Sequence, residues 1–202
     1  MEILVATHNR GKLEEMRAIA RGWPVSLKGL SETGIDLDVE ETGLTFDDNA
    51  LIKARALFDR WAGPVLADDS GLCVDYLDGA PGIHTARFAG RGASDQANYR
   101  LLLDKLEGVP EEKRGAHFHC SLALVNPQGE AVYQGRTDGG IALEASGTGG
   151  FGYDPVFIPE GEHRTLAWMS PEEKNAISHR GRALRQFLEE RFPHADPLRR
   201  RR

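Results

Sequence analysis

The apolar positions of the chain follow two periods, and the switches between them lay out the elements. Glu2 to Ala6 reads as a first strand, followed by a helix with Leu13, Met16, Ile19 and Ala20 at helical spacing. Val25 to Leu30 reads as a second strand. Thr45-Phe46-Asp47-Asp48 is a capping-box-like start with Asp in place of Glu or Gln. The helix it opens carries Ala50, Leu51, Ala54, Leu57, Phe58 and Trp61 as one apolar stripe, with Lys53 off the stripe and read as surface charge. After Gly63-Pro64, the short run Val65 to Ala67 fits a buried strand that ends at Asp68-Asp69-Ser70-Gly71. Leu72 to Leu77 reads as another strand.

Asp78 to Gly92 is a long loop, and Ser94-Asp95 caps a helix running to about Glu107 with Ala97, Leu101 and Leu102 inward. From Ala116 to Val125 the pattern alternates strictly. Ala116, Phe118, Cys120, Leu122 and Leu124 take one face; His117, His119, Ser121, Ala123 and Val125 take the other. Pro127-Gln128-Gly129 then turns the chain into a partner strand near Ala131 to Arg136, a hairpin that makes the sheet partly antiparallel. Ser170-Pro171-Glu172-Glu173 opens one last helix. Ala176, Ala183, Leu184 and Phe187 form its core-facing arc, Ile177 and Leu188 its edge; Arg180 falls inside the arc and His179 on its flank.

Composition narrows the class. At 202 residues the chain is expected to be a single domain, with 193–202 a disordered tail that carries Arg199 to Arg202. A net charge of -6 argues against a nucleic-acid binder. No run approaches the roughly 18 apolar residues of a membrane span, and Met1 to Val5 lacks the features of a signal peptide. Cys73 and Cys120 sit in apolar runs, as free buried thiols of a reducing, cytoplasmic setting do.

Candidate chemistry gathers in five places. Two adjacent acids at the end of a strand suit a divalent metal or water activation, although Asp-Asp-Ser-Gly is also turn-forming. Thr7 to Lys12 joins a strand to a helix N-terminus and offers an anion site, without the glycine and hydroxyl of a P-loop. The acidic loop Asp36 to Gly43 is either solvated charge or a metal ligand set. Gly147 to Pro155 holds four glycines in six residues with Phe151 and Tyr153, and reads as a ligand loop with rings for stacking. Arg180, aimed inward, needs an anion or an internal carboxylate. His117 and His119 share a face but lack a third metal ligand.

Taken in order, Thr7-x-Asn9-x-x-Lys12, Glu40-Glu41-Thr42-Gly43, Ala67-Asp68-Asp69-Ser70-Gly71-Leu72, Gly149 to Pro155 and Lys174-x-x-x-Ser178-His179-Arg180 closely resemble the inosine/xanthosine triphosphate pyrophosphatase family. The resemblance covers residue 2 to about 190. It implies a mixed α/β fold with a twisted sheet in two lobes and a central cleft, magnesium as cofactor, a homodimer, and hydrolysis of nonstandard purine triphosphates (ITP, dITP, XTP) to the monophosphate and pyrophosphate. By the same resemblance Asp69 is the catalytic acid and a metal ligand, with Glu40 and Asp68 also at the metal. Thr7, His8, Asn9, Arg10, Gly11, Lys12 and Lys53 match the triphosphate positions, with Ser70 beside them. Phe151, Gly152, Tyr153, Asp154, Lys174, His179 and Arg180 match the nucleoside pocket. One departure is Ala167-Trp168-Met169, where the family usually has Ala-Glu-Met. Two alternatives remain: a pyrimidine or methylated-nucleotide pyrophosphatase on a similar fold, and a nucleotide-sensing module without chemistry.

Overall fold

The computed structural model describes residues 1–35 and 38–195. Asp36 and Leu37 of the acidic loop, and 196–202 of the C-terminal tail with its arginine run, lie outside the described residues. The elements are β1 (Glu2–Val5), α1 (Arg10–Ile19), β2 (Ser26–Gly29), α2 (Phe46–Phe58), β3 (Val65–Val74), α3 (Asp95–Lys105), β4 (Gly115–Asn126), β5 (Gly129–Ile141), β6 (Phe157–Pro159), α4 (Pro171–Ile177) and α5 (His179–Arg191). The six strands form one mixed sheet in the order β2-β1-β3-β4-β5-β6. β1 runs parallel to β2 and to β3, whereas β6 lies antiparallel to β5. The mixed α/β class expected from the hairpin and the resemblance is therefore the observed one.

The chain divides into two compact units: Met1–Asp69, Cys120–Gly135 and the stretch from His179 make the first; Ser70–His119 and Arg136–Ser178 make the second. In the first unit the sheet is buried on both faces. Ile3, Val5, Leu66, Cys120, Leu122 and Leu124 pack against Leu13 and Met16 of α1 and Leu184 and Phe187 of α5. Leu4, Val65, Ala67, Ala123 and Val125 pack on the other side against Ala50, Ala54 and Leu57 of α2. The alternation read from β4 thus holds, but from Cys120 to Val125 both faces are buried because helices cover each. A Cβ on Gly135 would stand 1.9 Å from the carbonyl oxygen of His179, so the bare backbone of β5 lets the start of α5 sit directly on it.

The second unit has a single apolar cluster. Leu72, Val74, Leu102, Leu106, Phe118, Ile141, Phe157 and Leu166 form it, with Phe118 and Phe157 ring centroids 4.8 Å apart. Buried Arg114 ties its periphery by donating to the carbonyls of Leu106, Ile141 and Ala142. The long Asp78 to Gly92 stretch is structured locally. Its Gly82–Arg87 segment is a 3-10 helix, and Asn98 of α3 bridges it by accepting from Ala89 N and donating to Ala86 O. Phe88 packs partly onto this unit's own core, so the stretch does not present it as a free apolar knob.

Three sequence readings need correction. The two expected strands around Asp-Asp-Ser-Gly are one continuous strand, β3, so the acids lie mid-strand and not at a strand end or turn. Turn-forming residues yield to the ladder here because the flanking Val65, Leu66, Ala67, Leu72 and Val74 are buried. The expected single last helix is two. Ser178 takes an extended conformation (φ -65, ψ 148) between α4 and α5, as a residue that competes for backbone hydrogen bonds can. The break resets the phase, which leaves Ala176 exposed while Arg180, Ala183, Leu184 and Phe187 stay buried. Lys53 is not surface charge; its side chain is 15% exposed and ion-paired.

Candidate active site

Strand parity places the two central acids. Leu66 and Asp68 point to the α1/α5 face of the sheet, whereas Val65, Ala67 and Asp69 point to the α2 face. Each acid meets a different set of cations accordingly. On the first face, Lys12 of α1 ion-pairs with Asp68 Oδ1. Arg180 Nε of α5 donates to Asp68 Oδ2 at 3.0 Å, and the Cys120 thiol lies 3.1 Å from the same oxygen. The Arg180 guanidinium also pairs with Glu15 of α1. Burial alone would weaken the protonation of Arg180, but the carboxylates of Asp68 and Glu15 outweigh it and hold the group firmly charged. A guanidinium only 2% exposed is thus compensated on two sides.

On the second face, Lys53 Nζ donates to Asp69 Oδ1 and Asp68 O at 2.8 Å each, and to Glu41 Oε1 at 2.9 Å. Asp69 is 6% exposed, and its Oδ2 is buried with no hydrogen-bond partner among the described residues. Burial pushes the Asp69 carboxyl above the ordinary aspartate range, with Lys53 opposing. Lys53 itself is held charged, because Asp69 and Glu41 overcome the cost of its burial. The site is therefore a carboxylate with one oxygen steadied by an ammonium and the other uncommitted.

The turn from β1 into α1 is built locally. Thr7 Oγ1 accepts from Asn9 N at 3.1 Å, and Asn9 as N-cap accepts from Lys12 N at 3.1 Å. Arg10, Gly11 and Lys12 form the first helical turn, so the helix begins inside the stretch read as loop, and no acid occupies that turn. His8, Asn9 and Arg10 are exposed there. Glu40 is exposed as well, while Ser70 is half-buried next to Asp69 along β3.

In the second unit the glycine loop is held from several sides. Asp154 Oδ2 accepts from Phe151 N at 2.8 Å and from Lys174 Nζ at 2.6 Å, and that ammonium stands 4.3 Å from the Phe151 ring centroid. Gly152 N donates to Asp95 Oδ2 at 2.7 Å, and Gly152 needs its positive φ of 62° to do so. Tyr153 does not offer a ring for stacking. It is 2% exposed in this unit's core, and its hydroxyl donates to Thr85 O at 2.9 Å. Trp168, at the departure from the family pattern, is 61% exposed with its indole N–H on Ser146 Oγ at 2.8 Å.

Glu15 and Glu41 were missed as members of the first unit's charge network. Glu15 sits three residues after Lys12, on the same side of α1, a spacing that could have flagged it. Glu41 was hidden by its neighbour Glu40, since only the fold shows which of the pair meets Lys53.

The fold and these contacts define a mixed α/β protein with a buried acid pair, each acid gripped by cations from separate helices. More particularly, the chain belongs to the Ham1 family, whose pattern matches residues 3–190. It is 53% identical over 189 residues to a Streptomyces coelicolor protein named dITP/XTP pyrophosphatase, covering 92% of this chain and 94% of that one. A Halalkalibacterium halodurans protein of the same name is 49% identical, with 92% and 96% covered. Among solved structures, a HAM1 protein from Coxiella burnetii is 41% identical with a TM-score of 0.86, covering 96% of this chain and 99% of that one. A nucleoside-triphosphatase / dITP/XTP pyrophosphatase from Mycobacterium abscessus is 49% identical with a TM-score of 0.74, covering 93% and 99%.

Proposed function

We propose that this protein hydrolyses nonstandard purine nucleoside triphosphates, inosine and xanthosine types, to the monophosphate and pyrophosphate. The observation that carries the reading is Asp69: a buried carboxylate, steadied on one oxygen by Lys53, with its other oxygen uncommitted. A pure binding module gains nothing from such a group, and burial makes it a better proton acceptor than an ordinary aspartate. The names of relatives near 50% identity over most of both chains support the substrate class.

In this reaction water adds to the α-phosphorus and the bond to the α–β bridging oxygen breaks. The water's proton passes to Asp69, and pyrophosphate leaves. Lys12 and the positive end of the α1 dipole, with Thr7 to Gly11 around them, oppose the negative charge of the phosphates. Lys53 keeps the Asp69 carboxyl oriented.

Magnesium is part of the proposal, and the donor set fits it. Among the described residues no trio of His, Cys, Asp or Glu side chains is grouped to hold an ion. Magnesium does not need one, since it is commonly held by one or two carboxylates with water and phosphate in its remaining positions. Asp69 Oδ2 and the carboxylates of Glu40 and Glu41 are the candidates. Asp68 fits less well than expected, because Lys12, Arg180 and Cys120 engage its two oxygens. When bound, the ion would neutralise charge building on the phosphates.

A panel of nucleoside triphosphates assayed for pyrophosphate tests the reading. ITP, dITP and XTP are expected to be turned over, ATP to be poor, and chelation by EDTA to abolish turnover until magnesium is restored. Preference for pyrimidine or methylated nucleotides, or binding without pyrophosphate release, would favour the alternative readings. A cytoplasmic setting belongs to the same proposal: both cysteines are free thiols, and no described helix is long and apolar enough to cross a membrane. So does a homodimer, supported by the family resemblance. Sedimentation at micromolar concentration is expected to give twice the chain mass, and a monomer would remove that part.

A further inference from the structure

Asn49, in the first turn of α2, is fully buried, which is unusual for an amide side chain. Its Oδ1 accepts from Gly43 N at 2.8 Å, and its Nδ2 is buried with no partner among the described residues. Gly43 fits against this turn only because it lacks a side chain. A Cβ there would lie 2.5 Å from Asp48 Cβ and 2.7 Å from Asn49 Oδ1. One helical turn further on, on the same face as Asn49, Lys53 reaches Glu41 and Asp69. The acidic loop is thus fastened to α2 twice, once through its backbone at Gly43 and once through its carboxylate at Glu41.

We propose that Asn49 is a positioning residue for the acidic loop, fixing Gly43 so that Glu40 and Glu41 are presented beside Asp69. The buried amide is kept although its Nδ2 has no partner among the described residues. A residue serving only the core would be apolar at this position, and the oxygen that docks the loop is what an apolar residue lacks. The metal part of the inference rests on the magnesium reading above; the loop anchor does not.

The test uses the full chain. Asn49→Leu keeps a side chain branched at Cγ, removes the unpartnered Nδ2 and deletes the anchor. Amide hydrogen exchange of a peptide spanning 38–44 is expected to speed up at Gly43, while the melting temperature stays within a few degrees of the parent. Manganese binding without nucleotide, followed by electron paramagnetic resonance, is expected to weaken roughly 10–100-fold, the usual cost of losing an outer-shell support. Asn49→Asp retains the acceptor oxygen and is expected to keep the loop protected. Parent-like exchange and manganese affinity in Asn49→Leu would overturn the proposal, as would a loss of stability with the loop still protected. Should Asn49→Leu fail to fold, Gly43→Ala pushes the loop off the same turn from the other side and is expected to give the same two changes. Unchanged exchange there would also overturn it. Exchange judges the anchor whether or not the parent binds manganese, so failure of the metal reading and failure of the anchor are told apart.

Discussion

Asp69→Asn is expected to lower turnover of inosine triphosphate by ~10²–10⁴-fold, the usual worth of a general base, while the protein melts no earlier than its parent at neutral pH. The two halves of this expectation come from one fact. The fold raises the Asp69 carboxyl above its ordinary range, chiefly by burial. A group whose folded pKa is raised contributes stability below its unfolded value and loses it as pH climbs through the folded one. At neutral pH Asp69 is therefore a charge that the fold holds at a cost, and the amide relieves that cost. Lys53 still has Glu41 and the Asp68 carbonyl as partners in the variant. Turnover within tenfold of the parent would remove Asp69 from the water-activating role. A melting temperature lower by many degrees would show that the Lys53–Asp69 pair is net stabilising.

The second large effect is expected at Arg180. Arg180→Ala leaves Asp68 and Glu15 buried without the cation between them, and breaking a buried pair from one side costs about 3–5 kcal/mol. Chemical denaturation is expected to show that loss. Because the guanidinium is tied to two carboxylates of its own unit, we expect kcat/KM for inosine and adenosine triphosphates to fall together, with their ratio preserved. Arg180 then acts by holding Asp68, and through it Lys12, in place. A ratio that narrows because the inosine value alone falls would instead return Arg180 to the base-reading role that its place in the Ser-His-Arg motif suggests, an arginine being only a donor to the 6-oxygen.

What the sequence showed and what it hid have a common physical cause. Caps were legible because they are local: Ser94, Thr45 and Ser170 each accept from the backbone N–H three residues on. The β4 faces were legible because period two is unambiguous over ten residues. The fate of Asp68 and Asp69 was not, since polar residues in mid-strand look like a turn until the cations that neutralise them are known. Those cations come from residues 12, 53 and 180, far apart in the chain. Lys53 was misread for the same reason: off the apolar stripe of α2 it resembles any solvated lysine. The break at Ser178 was masked because the apolar spacing of 176–188 happens to continue in phase on paper. Family likeness pointed to Lys12, Lys53, Asp68 and Asp69 together, but it could not say which lysine meets which acid, nor separate Glu40 from Glu41.

The burial of both sheet faces around β3 also bears on how this family can vary in length. The register Leu4↔Val65 and Val5↔Leu66 fixes which way every later β3 side chain points. Deleting or inserting one residue between Leu66 and Asp68 would exchange the two acids, sending Asp68 toward Lys53 and Asp69 toward Arg180. Each acid would then meet the wrong cation, and Leu72 and Val74 further along the strand would be turned off the second unit's core. Length polymorphism is consequently forbidden in this strand, and natural indels or engineered insertions should be confined to segments such as the turn at 127–128, where no such parity is at stake.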